Sequence, residues 1–448
     1  MERAQKAVSA RETKKYILKT WGCQMNIYDS GRMADIVDAL GYVPTENAEE
    51  ADLVIFNTCH IREKASEKLF SELGRLKKKC DAAGKRVTIA VGGCVAQAEG
   101  AEIQRRMPYV DLVFGPQTYH LLPEMLARVA REEGHVLETA FPPDTKFDAL
   151  PENGKQGGAA AFLAIQEGCD RFCSYCVVPY TRGAEYSRTP DALFAEASLL
   201  VKGGAREITL LGQNVNAYRM EGVNLAGLLR RLADIPDLLR LRYTTSHPSD
   251  MNEDSIKAHR DLPQLMPFLH LPVQSGSDSI LEAMNRKHTA DAYRRIVEKL
   301  RAARPDLALS SDFIVGFPGE TDADFAATMK LVEDVDFAQA YSFKYSRRAG
   351  TPAAAMKKQI AEDVKEARLA ALQDLLRAQQ KRFNLSCVGK AMPVLVENGS
   401  RREGCVWGRS EYMQSVHVTG GAETVGRIVD VKVKSATLGG LQGGIANE

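Results

Sequence analysis

Residues 161–176 read AFLAIQEGCDRFCSYC: an apolar run of strand character that ends in a glycine and is followed at once by three cysteines spaced C-x3-C-x2-C. The loop is short enough to wrap Cys169, Cys173 and Cys176 around one face of a metal cluster. Iron–sulfur cubanes normally take four cysteine ligands, so a set of three leaves one iron free to bind something else. An open coordination position is what separates a reactive metal site from a structural one. Structural zinc fits poorly, because zinc motifs pair two C-x2-4-C knuckles and no fourth ligand follows closely.

Strand-like runs recur downstream as EITLLGQN (207–214), LRLRYTTSH (239–247), FLHLPVQSG (268–276), LALSSDFIVGF (307–317) and FAQAYSFKYS (337–346), with helical patterns between them. With residues 161–168 they make six βα units, which predict an open, partial (β/α)6 barrel. Chemistry on such a barrel sits at the carboxyl ends of its strands. Those ends carry Cys169, Gln213 with Asn214, Ser246 with His247, Gln274 with Ser275, and Gly316. A long helical stretch (360–383) then leads into short alternating runs, MPVLVEN, YMQSVHVTG and TVGRIVDVKVKSAT, that predict a small antiparallel β-barrel. Arg401, Arg402 and Arg409 near its turns suit either phosphate contacts or a solvated rim. The closing LQGGIANE reads as a flexible tail.

Upstream, one pattern repeats: an apolar strand ends in a cysteine and a helix follows. KKYILKTWGC (14–23), ADLVIFNTC (51–59) and RVTIAVGGC (86–94) are the three instances, and DLVFG (111–115) starts a fourth unit. Alternating strands and helices imply a parallel α/β sheet, whose strands all end on one edge. Cys23, Cys59 and Cys94 are therefore expected side by side at the ends of three strands, where open α/β sheets bind ligands. A second cluster with three protein ligands is the reading that follows. Cys80, Cys387 and Cys405 have no such arrangement and read as ordinary thiols. The Pro- and Gly-rich composition of 133–158 marks a linker, giving domains at 14–132, 159–386 and 387–446.

The chain has 448 residues, enough for two to four domains with sizeable cores. Lys and Arg number 59 against 58 Asp and Glu, so any nucleic-acid surface is a local patch, not a global field. No apolar run is long enough to span a bilayer and the N-terminus lacks the apolar core of a signal peptide, which makes the expected location cytoplasmic, with no membrane partner.

The loop at 169–176 on the first strand of a six-unit barrel resembles the radical S-adenosylmethionine (SAM) superfamily. TWGCQMN (20–26), NTCHIR (57–62), VGGC (91–94), CSYCVVPYTRG (173–183), LLGQNVNAY (210–218), YTTSHP (243–248), HLPVQSGSD (270–278), MNRKHT (284–289), DFIVGFPGET (312–321) and YSFKYSRRAGTPAA (341–354) extend the likeness over nearly the whole chain. In this order they resemble the methylthiotransferase family, with an N-terminal cluster domain, a radical SAM barrel and a C-terminal TRAM RNA-binding barrel. The branch most similar methylthiolates C2 of N6-dimethylallyladenosine beside the tRNA anticodon.

The resemblance implies two 4Fe-4S clusters, one on Cys23, Cys59 and Cys94 and one on Cys169, Cys173 and Cys176. One SAM then methylates a sulfur held at the first cluster, while a second SAM yields the radical that activates the unreactive C2–H bond of adenine. It also implies SAM contacts from Tyr175, Gln213, Ser246, Gln274, Gly316 and Phe317; Gln24 and Asn26, next to Cys23, suit either a contact with the substrate base or a cap on the following helix, and Arg401 and Arg409 are the candidate RNA contacts. His60, beside Cys59, is not expected as a fourth ligand, since that would close the open position. The implied partners are a tRNA anticodon stem-loop, an electron donor such as a flavodoxin and a sulfur donor of unknown identity, with the enzyme itself a monomer. Rival readings are methylthiolation of threonylcarbamoyl-adenosine tRNA or of a ribosomal-protein aspartate, and a metal-stabilised RNA-binding module without turnover.

Overall fold

Strand-forming residues in the first third of the chain alternate between two apolar faces, and the sheet they build is covered on both. In the computed structural model, which describes residues 13–60, 63–131, 134–142, 146–149, 158–399 and 404–446, this sheet has six strands. They are β1 (Lys15–Trp21), β2 (Val43–Pro44), β3 (Leu53–Thr58), β4 (Thr88–Gly93), β5 (Leu112–Phe114) and β6 (Val136–Glu138), in the order β2-β1-β3-β4-β5-β6. Every pairing is parallel, as the alternation of strands with helices requires. Leu53 and Ile55 pack with Met33, Ile36 and Val37 of α1 (Gln24–Ala39), whereas Val54 and Phe56 pack with Leu69 and Leu73 of α2 (Glu63–Ala83). Two further helices, α3 (Cys94–Arg106) and α4 (Leu122–Ala130), complete the layers. Strand β6 lies inside the stretch expected to be a linker. Three residues are too few to show a period, and pairing with β5, not propensity, makes them a strand.

The chain divides into two compact units, Met1–Lys155 with Tyr180–Arg182, and Gln156–Pro179 with Gly183–Glu448. The second unit starts with β7 (Ala160–Ala164). A two-residue antiparallel pair, β8 (Gln166–Glu167) with β9 (Tyr186–Ser187), ties the base of the cysteine loop, within which α5 (Val178–Arg182) begins. Then follow α6 (Pro190–Lys202), β10 (Glu207–Leu211), a small hairpin of β11 (Arg219–Met220) and β12 (Val223–Asn224), α7 (Leu225–Ala233), β13 (Arg240–Tyr243) and α8 (Glu253–Asp261). Next come β14 (Phe268–His270), α9 (Asp278–Ala283), α10 (Ala290–Ala303), β15 (Ala308–Val315), α11 (Asp322–Val335) and β16 (Gln339–Lys344). Strands β7, β10 and β13 form one parallel half and β14, β15 and β16 the other, joined by a bridge between Leu241 and Leu265. These are the six expected barrel strands. Thr189, Asn224, Asn252, Thr289 and Thr321 each start a helix by accepting a backbone N–H in its first turn, a cap worth about 1 kcal/mol.

After α12 (Glu362–Ser386), a closed barrel runs β17 (Ala391–Gly399), β18 (Cys405–Ser410), β19 (Ser415–Thr419), β20 (Ile428–Thr437) and β21 (Gly440–Ile445). The sequence reading differs from it in three respects, the first being that β18 is not among the expected runs. Strand β21 is the segment expected to be a flexible tail, and its pairing with β19 is parallel, so the barrel is not purely antiparallel. Glycines hide the strand from any alternation pattern, yet one of them is needed: a Cβ on Gly443 would lie 2.4 Å from the Lys432 carbonyl oxygen. No described helix is long and apolar enough to cross a membrane.

The small barrel is seated on the large one by buried charge. Glu207 and Arg240, the first residues of β10 and β13, and Arg242, further along β13, are nearly sealed from solvent, with Glu207 3.7 Å from Arg240 and 3.0 Å from Arg242. Arg240 donates to the carbonyls of Arg409 (3.0 Å) and Pro393 (2.8 Å), and Arg242 to those of Glu411 (2.8 Å) and Ser410 (3.0 Å). Removing one member of a buried ion cluster costs about 3–5 kcal/mol, because the others stay buried without it. Glu207→Gln is therefore expected to lower the urea unfolding free energy by about that amount, and a loss below about 1 kcal/mol would contradict a charge-held seat.

Candidate functional site

In the first unit the strand register sets three thiols together. Trp21 is paired with Thr58 and Thr58 with Gly93, so Cys59 and Cys94 follow at the same level and Cys23 one residue beyond. The Cys59 N–H donates to the Trp21 carbonyl at 3.0 Å. Two glycines make room: a Cβ on Gly22 would lie 2.5 Å from the Cys59 Cβ, and one on Gly93, at φ +92°, 2.4 Å from Asn57 Oδ1. Asn26 Oδ1 accepts the Cys23 N–H at 3.3 Å and lies 3.2 Å from its Sγ, while Asn26 Nδ2 donates to Asn57 Oδ1 at 3.1 Å. Asn57 in turn donates to Asn26 O and Ser30 Oγ, both at 2.9 Å.

Buried charge surrounds these thiols. Arg182 hydrogen-bonds Cys94 and meets Asp29 at 2.6 Å; Lys146 lies 3.6 Å from the other Asp29 oxygen and donates to the Pro116 carbonyl at 2.9 Å. Gln117 Nε2 fixes the Arg182 backbone by donating to its carbonyl at 2.6 Å. A hydrogen bond with Cys59 does most to bring the Cys23 thiol down to about 6, helped by Arg182 and by the backbone N–H groups that open α1, against the opposing effect of burial. Burial pushes Cys94 up and Arg182 opposes it. Among the described residues no three His, Cys, Asp or Glu side chains converge as ligands of a single ion. A cubane makes a different demand, since each thiolate binds its own iron, and three thiols at adjacent strand ends are the donor set it would take. His60 faces Glu99 at 3.4 Å.

In the second unit the cysteine loop is pinned from several sides. The Cys169 N–H donates to Gly183 O (3.2 Å), the Cys176 N–H to Cys173 O (2.9 Å), and the Ser174 N–H and Oγ to Met284 O (3.0 Å) and Ala283 O (2.8 Å). Asn285 Nδ2 donates to Phe172 O at 2.9 Å, and Gln213 Oε1 accepts the Gly168 N–H at 2.6 Å. Arg286 Nη1 lies 3.6 Å from Cys173 Sγ. Burial raises Cys169 to about 11 and Cys176 to about 12, so loading a metal there displaces thiol protons.

The neighbouring strand ends are tied to one another. Asn214 Oδ1 and Asn216 Oδ1 accept the His247 N–H at 3.1 and 2.9 Å, and Asn214 Nδ2 donates to Asp250 at 2.8 Å. Arg171 also pairs with Asp250. Ser246 Oγ and His247 Nε2 are buried without a hydrogen-bond partner, polar atoms that suit a ligand bearing amino, carboxylate and hydroxyl groups. Gln274, at φ +76°, bridges to β15, and Gly316, at φ +68°, leaves space that a Cβ would close at 2.3 Å from Lys365.

The other expected residues fall into different surroundings. Tyr175 and Phe317 belong to one small apolar cluster with Met284 and Tyr345, and the Phe317 ring is wholly buried. Gln24 is half-buried as the first residue of α1. Asn26 is fully buried, closes a capping box with Cys23 at the start of α1 and donates to Asn57, the arrangement of the helix-cap alternative. Arg409 pairs with Glu397 at 3.3 Å, stacks on Trp407 and lends its carbonyl to the seat. Arg401 lies outside the described residues. Sequence reasoning missed Asn57, Arg182 and Arg286. All three stood inside quoted motifs, NTCHIR, CSYCVVPYTRG and MNRKHT, but only the fold shows which atoms they reach.

Family models match the chain in three blocks: an uncharacterized protein family, UPF0004, over residues 15–115, the radical SAM superfamily over 163–332 and the TRAM domain over 385–445. Among solved structures, the radical SAM methyltransferase TsrM from Kitasatospora setae superposes with a TM-score of 0.57 at 14% identity, covering 76% of this chain and 77% of that one. The cobalamin-dependent radical enzyme OxsB superposes with a TM-score of 0.54 at 11% identity, where 82% of this chain spans 56% of that one. At such identity these establish the fold alone. Fold and site thus define a radical SAM protein with a TRAM domain. The tRNA-2-methylthio-N(6)-dimethylallyladenosine synthase of Maricaulis maris (strain MCS10) is 56% identical over 443 residues, 96% of this chain and 97% of that protein. The chain belongs to the methylthiotransferase family of radical SAM enzymes, and its cofactors are SAM and 4Fe-4S clusters.

Gly93→Ala tests the crowded N-terminal cradle. A side chain there meets Asn57 and the Thr58 carbonyl in a backbone conformation that costs about 1–3 kcal/mol without glycine. After anaerobic reconstitution the variant is expected to hold about half the iron of the parent chain; full iron content would contradict this account of the site.

Proposed function

We propose that the chain converts N6-dimethylallyladenosine at position 37 of tRNA to its 2-methylthio derivative. The observation that carries the reading is the pair of three-cysteine sets in a chain 56% identical to a synthase of that name. Cys169, Cys173 and Cys176 would hold one cluster and Cys23, Cys59 and Cys94 the other. When bound, these clusters supply the electron that cleaves SAM and a metal site at which sulfur is methylated. The adenine C2–H bond is unactivated, so acid–base groups of the protein alone would not open it, and cofactor chemistry is required.

The chain's own residues bind, orient and shield. Asn26 and Asn57 hold Cys23 and keep its backbone N–H satisfied. Ser246 and His247 offer buried polar atoms to SAM, Gln213 holds the cysteine loop by its Gly168 N–H, and Gln274 and Gly316 let the backbone approach closely. Tyr175 and Phe317 contribute an apolar wall that excludes water. Gln24 is the substrate contact best supported by its partial exposure. An anticodon-loop base is already unpaired, so drawing it into a cavity costs less than flipping one from a duplex. The reading extends to a cytoplasmic monomer that takes electrons from a flavodoxin-like donor.

In a host that lacks this gene, tRNA nucleosides are expected to accumulate the prenylated, sulfur-free adenosine, and the methylthio form should return when the gene is restored. Methylthio-nucleoside persisting at parental levels in the deletion strain, read by mass spectrometry, would remove the substrate assignment.

A further inference from the structure

The MNRKHT stretch folds around the C-x3-C-x2-C loop. Met284 is buried in the apolar cluster with Phe317, and Asn285, at φ +57°, turns the chain while its side chain grips the loop carbonyls of Arg171 (3.3 Å) and Phe172 (2.9 Å). The next side chain is thereby aimed beneath the cysteines. Arg286 is 8% exposed; its Nη1 points at Cys173 Sγ (3.6 Å), its Nη2 donates to Pro272 O (2.5 Å), and its Nε is buried with no partner. A guanidinium does not shed its proton in a protein. Held away from water, it needs a negative charge close by.

Other buried arginines have one. Arg32, Arg182, Arg188, Arg240, Arg242 and Arg368 each lie within 3.7 Å of a carboxylate oxygen. No carboxylate among the described residues comes within ion-pairing distance of Arg286. Its other polar neighbours do not compensate: burial, then Arg286 itself, drives His247 to about 2 and His288 to about 3, so both rings are neutral. The Tyr175 phenol and the sulfurs of Cys173 and Cys176 face the guanidinium, and of these the sulfurs are the groups that become anionic when a cluster is loaded.

We infer that Arg286 is the internal counter-cation of the cluster held by Cys169, Cys173 and Cys176, anchoring the Cys173 thiolate and balancing the cluster's charge. The inference rests on the proposed assignment of a cluster to those cysteines. A cubane with three thiolates is anionic, and more so by one charge when reduced, so a buried cation beside it favours both retention and reduction. Arg286 is a positioning residue in this account, since it acts through the cysteine and the cluster field.

The test uses the full chain with Cys23, Cys59 and Cys94 replaced by Ala, so that the remaining cluster alone reports. In that background Arg286→Met removes the charge and keeps the bulk, while Arg286→Lys keeps the charge and loses the fork. Metal-free Arg286→Met should melt no lower than its metal-free parent, because an uncompensated buried charge is gone. Its reconstituted form should lose iron to a chelator about 10- to 100-fold faster, with a more negative midpoint potential by electron paramagnetic resonance. Arg286→Lys should keep the parental potential. Parental iron loss and potential in Arg286→Met would overturn the inference, as would a lower metal-free melting temperature with an unchanged potential, the mark of a purely structural arginine. An equal shift in Arg286→Lys would overturn it too. If the parent background itself binds no iron, the underlying cluster assignment fails, and that result is distinct from the others.

Discussion

Parallel strands all end on the same edge of a sheet, and this constraint converts cysteines far apart in sequence into one cradle. The pairing of Trp21 with Thr58 and of Thr58 with Gly93 sets Cys23, Cys59 and Cys94 at neighbouring strand ends. A one-residue slip in either pairing would turn a thiol to the opposite face. The glycines at 22 and 93 and the Asn26–Asn57 pair follow from the same crowding, since three sulfurs at adjacent ends leave no room for side chains between them. Barrel strands obey the rule as well, with the second cysteine set and its polar companions at their carboxyl ends.

Each cysteine set has a buried arginine on one of its sulfurs, but the two differ in company. Arg182 shares its charge with Asp29, which Lys146 also approaches, so that charge is balanced within the protein. Arg286 faces the Tyr175 phenol and the Cys173 sulfur, with no carboxylate among the described residues at ion-pairing distance. An arginine neutralised by aspartate would shift the field at a bound cluster less than one that is not. The Glu207 triad is a third use of buried charge, directed at backbone carbonyls, and it fixes the small barrel by geometry more than by net attraction.

Much of this was legible in the sequence. Six βα runs, three cysteine-ended strands and the final β-rich segment correspond to the observed elements because long apolar periods and tight motifs depend on local patterns. Strands β6 and β21 were hidden because one is three residues long and the other is glycine-rich, and both exist through pairing. At the site, the cysteines announced themselves by spacing, but their supports did not. Arg286 reaches Cys173 across more than a hundred residues, and only the fold closes that separation. Asn26 was expected either to meet the substrate base or to cap the following helix; it takes part in the cap of α1, and its amide also bonds Asn57 on β3, a contact only the fold reveals.

The central claim is that two separate cradles each hold a cubane by three thiolates and leave one iron open. Mössbauer spectroscopy and iron and sulfide counting on the anaerobically reconstituted chain test it most directly. The account predicts about eight irons per chain, all in cubane form, and about half of them after replacement of Cys169, Cys173 and Cys176 by Ala. About four irons in the parent chain, or none left in that variant, would contradict it.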